Sequence, residues 1–84
     1  MYTRAFIKQY DDRDYLVFIP AFRGYTEGNS FEDAKIMAKD LIQNYRKHHG
    51  IPELSIEDCY KIANEDADDD IDFSDGALVR IEVD

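Results

Sequence analysis

The sequence contains few of the residues on which disulfide-bonded, zinc-binding or membrane-spanning proteins depend. Its 84 residues include a single cysteine, Cys59, so the chain cannot form an internal disulfide or a cysteine-based zinc site. No stretch approaches the roughly 20 apolar residues of a membrane span, and residues 1–8 lack the apolar core of a signal peptide. We therefore expect an intracellular, cytoplasmic protein.

Basic residues are also scarce. Ten lysines and arginines face nineteen acidic residues, which gives a net charge of −9 at pH 7. This charge repels nucleic-acid phosphates and anionic lipids, so we expect a basic protein partner rather than direct contact with nucleic acid or membrane. The chain is 44% hydrophobic with only four glycines and two prolines, so it should fold. Its length allows one domain, residues 1–84, and excludes a multidomain enzyme.

The N-terminal third predicts a β-hairpin. Residues 2–10 and 15–19 are rich in aromatic and β-branched types and flank a polar turn at residues 11–14. Residues 15–19 are apolar at every position, so both faces of that strand should be covered, and one helix can cover only one of them. The other face is either a contact for a subunit or partner, or part of a fully buried central strand.

Turn and strand signals follow this hairpin. Pro20 ends the second strand because it cannot donate to the ladder, and residues 22–26 predict a short third strand. Residues 27–30 then turn the chain, and Gly24 and Gly28 are expected to supply backbone freedom.

The clearest predicted element is a helix over residues 31–48. Ser30 stands three residues before Asp33, a pair that resembles a capping box at a helix start. Gly50 is placed to act as a left-handed cap, and Pro52 prevents continuation. Apolar residues recur at helical spacing and define the buried face: Phe31, Ala34, Met37, Ala38, Leu41, Ile42 and Tyr45.

Two further elements complete the predicted fold. Residues 55–58 repeat the capping pattern and predict a short helix over residues 56–64, and residues 77–83 alternate as a half-buried strand. The predicted class is α+β: a three-stranded antiparallel start, a helix packed on one face, a short second helix and a closing strand. Both helices are expected on one face of the sheet.

Most of the negative charge lies in the last quarter of the chain. Residues 65–84 carry nine acids and one base, Arg80. A calcium-binding EF-hand loop needs glycine at its sixth position and glutamate at its twelfth, but counting from Asp66 gives Ile71 and Ala77. We therefore expect no metal site here, and the run is either a solvated acidic loop or a contact surface for a basic partner.

No residue pattern predicts catalysis or cofactor binding. His48 and His49 are adjacent at the predicted C-terminal end of a helix, where a positive charge interacts favourably with the helix dipole. Adjacent side chains point in different directions, so we do not expect the two histidines to share a metal ion. Cys59 lies on the predicted apolar face of the second helix and should pack as a small hydrophobe. The sequence also lacks a phosphate-binding loop. We expect a protein that is not an enzyme, because a small hydrolase would need a concave polar site that the sequence does not display.

Residues 19–34 resemble the N-terminal domain of HicB-type antitoxins. That family's pattern is a strand, Pro-Asp, two residues, Gly-Cys, then Thr, any residue, Gly-Asp-Thr, two residues and Glu-Ala. Ala21 and Tyr25 replace its Asp and Cys. Five residues match the pattern directly: Pro20, Gly24, Thr26, Gly28 and Ala34. Three others keep its turn and cap chemistry: Asn29, Ser30 and Asp33.

The resemblance implies a partial ribonuclease-H-like fold without the nuclease's metal-binding acids, and a single HicB-like domain. It also implies a function: neutralising a small basic HicA-type toxin, an mRNA-cleaving ribonuclease, by covering its active surface, commonly as a dimer or larger assembly. Many family members add a C-terminal DNA-binding domain. This chain stops at the closing strand, so we do not expect it to bind DNA.

This interpretation assigns roles to two sets of residues. The expected partner contacts are the acids and two aromatic anchors Asp11, Asp12, Asp14, Phe22, Tyr25, Asp66, Asp68, Asp69, Asp70 and Asp72. The expected structural motif is Pro20, Gly24, Thr26, Gly28, Ser30 and Asp33. The alternative is an orphan homo-oligomeric structural or regulatory domain without a toxin partner, in which the apolar faces of the first two strands join subunits.

Overall fold

The elements follow one another as the sequence predicts. A computed structural model describes residues 1–66 and 71–83, and they form four strands and two helices: β1 (Tyr2–Gln9), β2 (Tyr15–Ile19), β3 (Gly24–Gly28), α1 (Phe31–Arg46), α2 (Ile56–Glu65) and β4 (Ala77–Glu82). A single 3₁₀ turn, Phe73–Asp75, precedes β4. The strands form one antiparallel sheet in the order β3-β2-β1-β4, so the predicted α+β class is confirmed. Neither helix of the described residues is long and apolar enough to cross a membrane.

The β1–β2 turn is closed by Asp11. Its Oδ1 accepts hydrogen bonds from the backbone N–H groups of Arg13 and Asp14 at 2.8 and 2.7 Å. The Tyr10 N–H donates to the Asp14 carbonyl oxygen at 2.8 Å. An aspartate whose side chain accepts a hydrogen bond from the backbone N–H two residues later commonly stabilises a turn. Asp11 therefore has a structural role in this turn, in addition to any contact with a partner.

The β2–β3 turn lies further along the chain than the sequence predicts. Strand β3 begins at Gly24, so Phe22 and Arg23 belong to the turn rather than to the strand. The Arg23 N–H donates to the Pro20 carbonyl at 3.4 Å, and Arg23 has φ 55°. This left-handed conformation reverses the direction of the chain, so that Gly24 can pair with Ile19. Glu27 and Gly28, predicted as turn residues, continue the strand.

Gly24 and Gly28 serve close packing rather than backbone freedom, which corrects the prediction. No described glycine has a positive φ. A Cβ at Gly28 would lie 2.5 Å from the Ala34 backbone nitrogen, because the start of α1 rests on this residue. A Cβ at Gly24 would collide with the Phe22 ring.

Helix α1 begins as predicted and ends two residues early. The Asp33 N–H donates to Ser30 Oγ at 3.0 Å, and Asp33 Oδ2 accepts from the Asn29 N–H at 2.9 Å, which is a reciprocal capping arrangement. At the other end, the helix stops at Arg46, and the N–H groups of residues 48 and 49 both donate to the Tyr45 carbonyl. Gly50 is not in the left-handed region, so the predicted glycine cap is wrong.

The two helices cover opposite faces of the sheet, which corrects the expectation that both lie on one face. Helix α1 packs on a cluster of sheet and helix residues: Ala5, Ile7, Val17, Ile19, Ala34, Ala38, Ile42, Ile81 and Val83. Helix α2 and the 3₁₀ turn pack on the other face with Phe6, Phe18, Cys59, Ala63 and Phe73. The physical reason is β2 itself, whose alternate residues are apolar on both sides. The chain therefore buries both faces of its central strand without a second subunit.

Helix α2 also sets the direction of β4. A single helix after β3 would return the chain to run parallel with β3. The second helix adds another reversal, so β4 pairs antiparallel with β1, with Tyr2 opposite Glu82 and Ile7 opposite Ala77. The alternating residues of β4 place Val79 and Ile81 on the α1 side, as the half-buried strand pattern predicts.

Candidate partner-binding surface

The most exposed aromatic side chain in the sheet lies on its β3 edge. Tyr25 pairs with Phe18, and Glu27 pairs with Leu16, so Tyr25 and Glu27 both project on the α2 side of the sheet. The Tyr25 side chain is 55% exposed, and its ring centroid lies 5.0 Å from that of Phe18 and 6.0 Å from that of Phe73. An aromatic ring that packs against other rings and is also partly exposed to solvent is a typical interface anchor.

A shallow cleft runs beside this ring. It has a volume of about 480 Å³ and is lined by Leu16, Val17, Tyr25, Thr26, Glu27, Asp66, Ile71 and Phe73. The cleft therefore combines apolar walls with two carboxylates, Glu27 and Asp66. We call Tyr25, Glu27, Asp14, Asp66 and Asp72 the β3-side surface.

Asp66 is already engaged with a base of its own chain. Arg23, in the β2–β3 turn, forms ion pairs with both Asp66 and Glu65 at the end of α2. The Arg23–Glu65 distance is 3.1 Å. The hydrogen bond to Glu65, with the nearby Asp66 carboxylate, raises the pKa of Arg23. This clamp ties the turn to α2, and it leaves Asp66 partly neutralised.

Two acids of the β1–β2 turn have pKa values shifted in opposite directions. The backbone N–H groups of Arg13 and Asp14 hold the pKa of Asp11 below its usual value. The hydrogen bond with Asp11 and the charges of Asp11 and Glu27 raise the pKa of Asp14. The Glu27 carboxylate is therefore close enough to Asp14 for the two negative charges to repel each other. Asp12 is exposed in the same turn as Asp14.

Asp72 begins the 3₁₀ turn. Its Oδ1 accepts from Ser74 N–H at 3.0 Å and from Ser74 Oγ at 2.6 Å, and these bonds lower the pKa of Asp72. Lys8 donates to the Asp72 carbonyl oxygen at 2.9 Å and pairs with Asp75 at 2.7 Å. Lys8 lies opposite Leu16 in the sheet, so these acids stand beside the β1–β2 turn.

The structure does not bring Phe22 together with Tyr25. The Phe22 ring stacks on Tyr45 with centroids 4.0 Å apart and packs against the α1-side core. Tyr45 in turn stacks on His49 at 4.7 Å. Phe22 therefore stabilises the end of α1, on the face opposite to Tyr25.

The predicted contact residues that the structure describes thus divide into three groups. Tyr25 and Asp66 share the cleft, while Asp11, Asp12, Asp14 and Asp72 lie around its β1–β2 end. Phe22 lies on the other face. Asp68, Asp69 and Asp70 lie outside the described residues. The sequence interpretation missed Glu27 and Phe73, although strict alternation from Tyr25 would have placed Glu27 on the same side.

Five of the six predicted structural residues serve packing or capping. Pro20 is fully buried, Gly24 and Gly28 admit close neighbours, and Ser30 and Asp33 cap α1. Thr26 pairs with Val17 in the middle of β3.

The residues weighed for catalysis meet at a second, larger groove of about 1320 Å³. His48, His49 and Cys59 are among its lining residues, together with Arg4 and Glu53. The Cys59 side chain is 2% exposed, and burial raises the pKa of its thiol. A nucleophilic cysteine needs the opposite shift. Among residues 1–66 and 71–83, no group of three His, Cys, Asp or Glu side chains could hold a metal ion.

No protein-family model, curated protein or solved structure matches this chain.

Proposed function

We propose that this chain is a HicB-like antitoxin domain that neutralises a small basic HicA-type ribonuclease by covering its active surface. The observation that carries the proposal is the β3-side surface, where an aromatic ring that is 55% exposed stands between carboxylates on a chain of net charge −9. We further propose that it acts in the cytoplasm and contacts no nucleic acid itself.

The chemistry of this surface suits a partner rich in arginine and lysine. The Tyr25 face can receive a cation, and Glu27 and Asp14 add carboxylates at the same edge. Such groups attract a basic ribonuclease at long range and occupy the positions that RNA phosphates would take. Arg23 and Lys8 form ion pairs with some of the acids of this chain. We therefore expect Glu27 to be the acid that contributes most to binding the partner.

The packing also gives a physical reason for the spacing that resembles the HicB family. Gly24 and Gly28 admit the Phe22 ring and the start of α1, and Ser30 caps that helix. These contacts hold the β2–β3 turn and α1 against the strand that carries Tyr25. The resemblance and the surface therefore support the same binding role.

The test is inhibition of a toxin by the full chain. The tagged protein is used to recover a small basic ribonuclease from its host, and RNA cleavage is then measured with and without the chain. Inhibition at equimolar concentration is expected. Tyr25→Ala should weaken inhibition by about tenfold or more, whereas Ile36→Ala should not, because Ile36 is 64% exposed on α1.

Association kinetics test the electrostatic part. Glu27→Gln should slow association and reduce its dependence on salt, because exposed charges act mainly on the encounter rate. Failure to inhibit any recovered ribonuclease, with only copies of the chain itself recovered, would overturn the proposal. That result would favour the orphan homo-oligomeric domain.

A further inference from the structure

The backbone groups of β4 that face away from the sheet can be identified from its pairing with β1. Met1 and Val83 exchange two hydrogen bonds, Val83 N–H to Met1 O at 2.9 Å and Met1 N to Val83 O at 3.1 Å. Antiparallel pairs alternate between bonded and non-bonded types. Counting back along the register, Ile81 and Val79 bond to β1, and the N–H and C=O groups of Leu78, Arg80 and Glu82 point outward.

Strands β3 and β4 form the two edges of the sheet. At the β3 edge, Ile71, Phe73 and Asp66 stand against the strand and line the cleft with it. At the β4 edge, the sheet order places no strand beyond β4 within the described residues. An edge strand with a row of outward backbone groups is a template for pairing with another chain.

We propose that β4 pairs antiparallel with β4 of a second copy of this chain, about a two-fold axis at Ile81. The two four-stranded sheets then form one continuous sheet, with both α1 helices on one face and both α2 helices on the other. This proposal is independent of the toxin partner, and it uses a different edge from the β3-side surface.

Charge complementarity selects the register. An axis at Ile81 places Arg80 opposite the second copy's Glu82, and Glu82 opposite its Arg80, with all four residues using their outward backbone groups. On the α1 side it places the two Ile81 side chains opposite each other. An axis at Arg80 would instead oppose two arginines, which is unfavourable.

The surroundings of Arg80 favour an added carboxylate. Within one chain Arg80 lies directly opposite Arg4, a like-charge pair, and it stacks on the Tyr2 ring at 3.7 Å. Its own Glu82 offers a single contact at 2.9 Å. The second copy's Glu82 would stand on the side of Arg80 away from Arg4, so each Arg80 would gain a second carboxylate neighbour.

Apolar side chains lie on the α2 side of the same edge. Tyr2 and Ile56 line one groove, and the Tyr60 ring packs on Phe6, which pairs with Leu78 of β4. These side chains stay between 37% and 52% exposed. Exposed apolar groups gathered beside an open strand edge are typical of an interface between chains.

Charge reversal tests the register in solution by sedimentation equilibrium. The wild type should be dimeric at ~100 µM. Arg80→Glu and Glu82→Arg should each weaken the dimer by about tenfold or more, since each opposes like charges twice. The double variant should recover the dimer, and an equimolar mixture of the two single variants should form a heterodimer. Thermal melting of each variant confirms that it is folded.

Cross-linking gives a second measurement that does not depend on charge. In a Cys59→Ala background, Arg80→Cys mixed with Glu82→Cys should form an intermolecular disulfide, because bonded antiparallel pairs lie about 5.5 Å apart between Cα atoms. Arg80→Cys alone should not. A monomeric wild type at ~100 µM, a dimer insensitive to both reversals, or cross-linking of Arg80→Cys alone would overturn the proposal.

Discussion

At the scale of single residues, neighbours distant in sequence decide what a side chain does. Gly28 looks like a turn residue in the sequence, yet it is buried in β3 under the first turn of α1. Gly50 looks like a helix cap, yet nothing would lie within 4 Å of a Cβ placed there. The two glycines therefore differ in a way that the sequence alone does not reveal.

Substituting alanine at each glycine separates these roles. Gly28→Ala should lower the free energy of unfolding by about 1–3 kcal/mol, because its Cβ meets backbone that cannot move aside cheaply. Gly50→Ala should leave it unchanged or raise it by about 0.4–1 kcal/mol, since alanine restricts the unfolded chain and the native φ suits it. Urea unfolding followed by circular dichroism measures both. Equal effects would contradict the packing role of Gly28.

The acids show the same limit of sequence reasoning. Asp66 looked available to a partner, but Arg23, which lies 43 residues earlier, takes up its carboxylate. Asp11 and Asp72 are bound by the backbone or side chains beside them, as turn chemistry predicts. Local roles were therefore predictable from the sequence, whereas the long-range ion pair depends on how α2 meets the β2–β3 turn.

At the scale of elements, periodicity predicted existence and type but not placement. The hairpin, α1, α2 and β4 all appear within two residues of their predicted bounds, because capping and alternation are local signals. The face of the sheet on which α2 packs is not determined by local sequence signals. The continuous apolar run in β2 requires a packed element on each face of the sheet. The apolar side of α2 around Cys59 and Ala63 supplies the second of these elements.

Removing the caps measures what they contribute. Ser30→Ala should lower the free energy of unfolding by about 1 kcal/mol, because the Asp33 N–H loses its acceptor. Ser55→Ala removes the matching bond to the Asp58 N–H in α2 and is the paired comparison. Hydrogen exchange should quicken in the first turn of the affected helix in each case. An unchanged urea midpoint for Ser30→Ala would show that this hydroxyl does not stabilise α1.

At the scale of the whole molecule, charge opposes folding. The chain carries −9, and its ion pairs are at the surface: Arg23 is 47% exposed, and Asp75 is 65% exposed beside Lys8. Exposed pairs contribute about 0–1 kcal/mol each. The mutual repulsion of the remaining acids is long-ranged, so we expect it to outweigh these pairs at low salt.

Salt and charge removal should therefore stabilise the fold through the same repulsion. Raising sodium chloride from about 10 to 150 mM shortens the screening length from about 30 to 8 Å, and the melting temperature should rise. Replacing Asp68, Asp69 and Asp70 by asparagine removes three of the negative charges, so the variant should melt higher at low salt and respond less to added salt. Differential scanning calorimetry at a fixed protein concentration compares them. A melting temperature that falls with salt in both proteins would mean that the surface ion pairs, rather than the net charge, dominate the electrostatics of this fold.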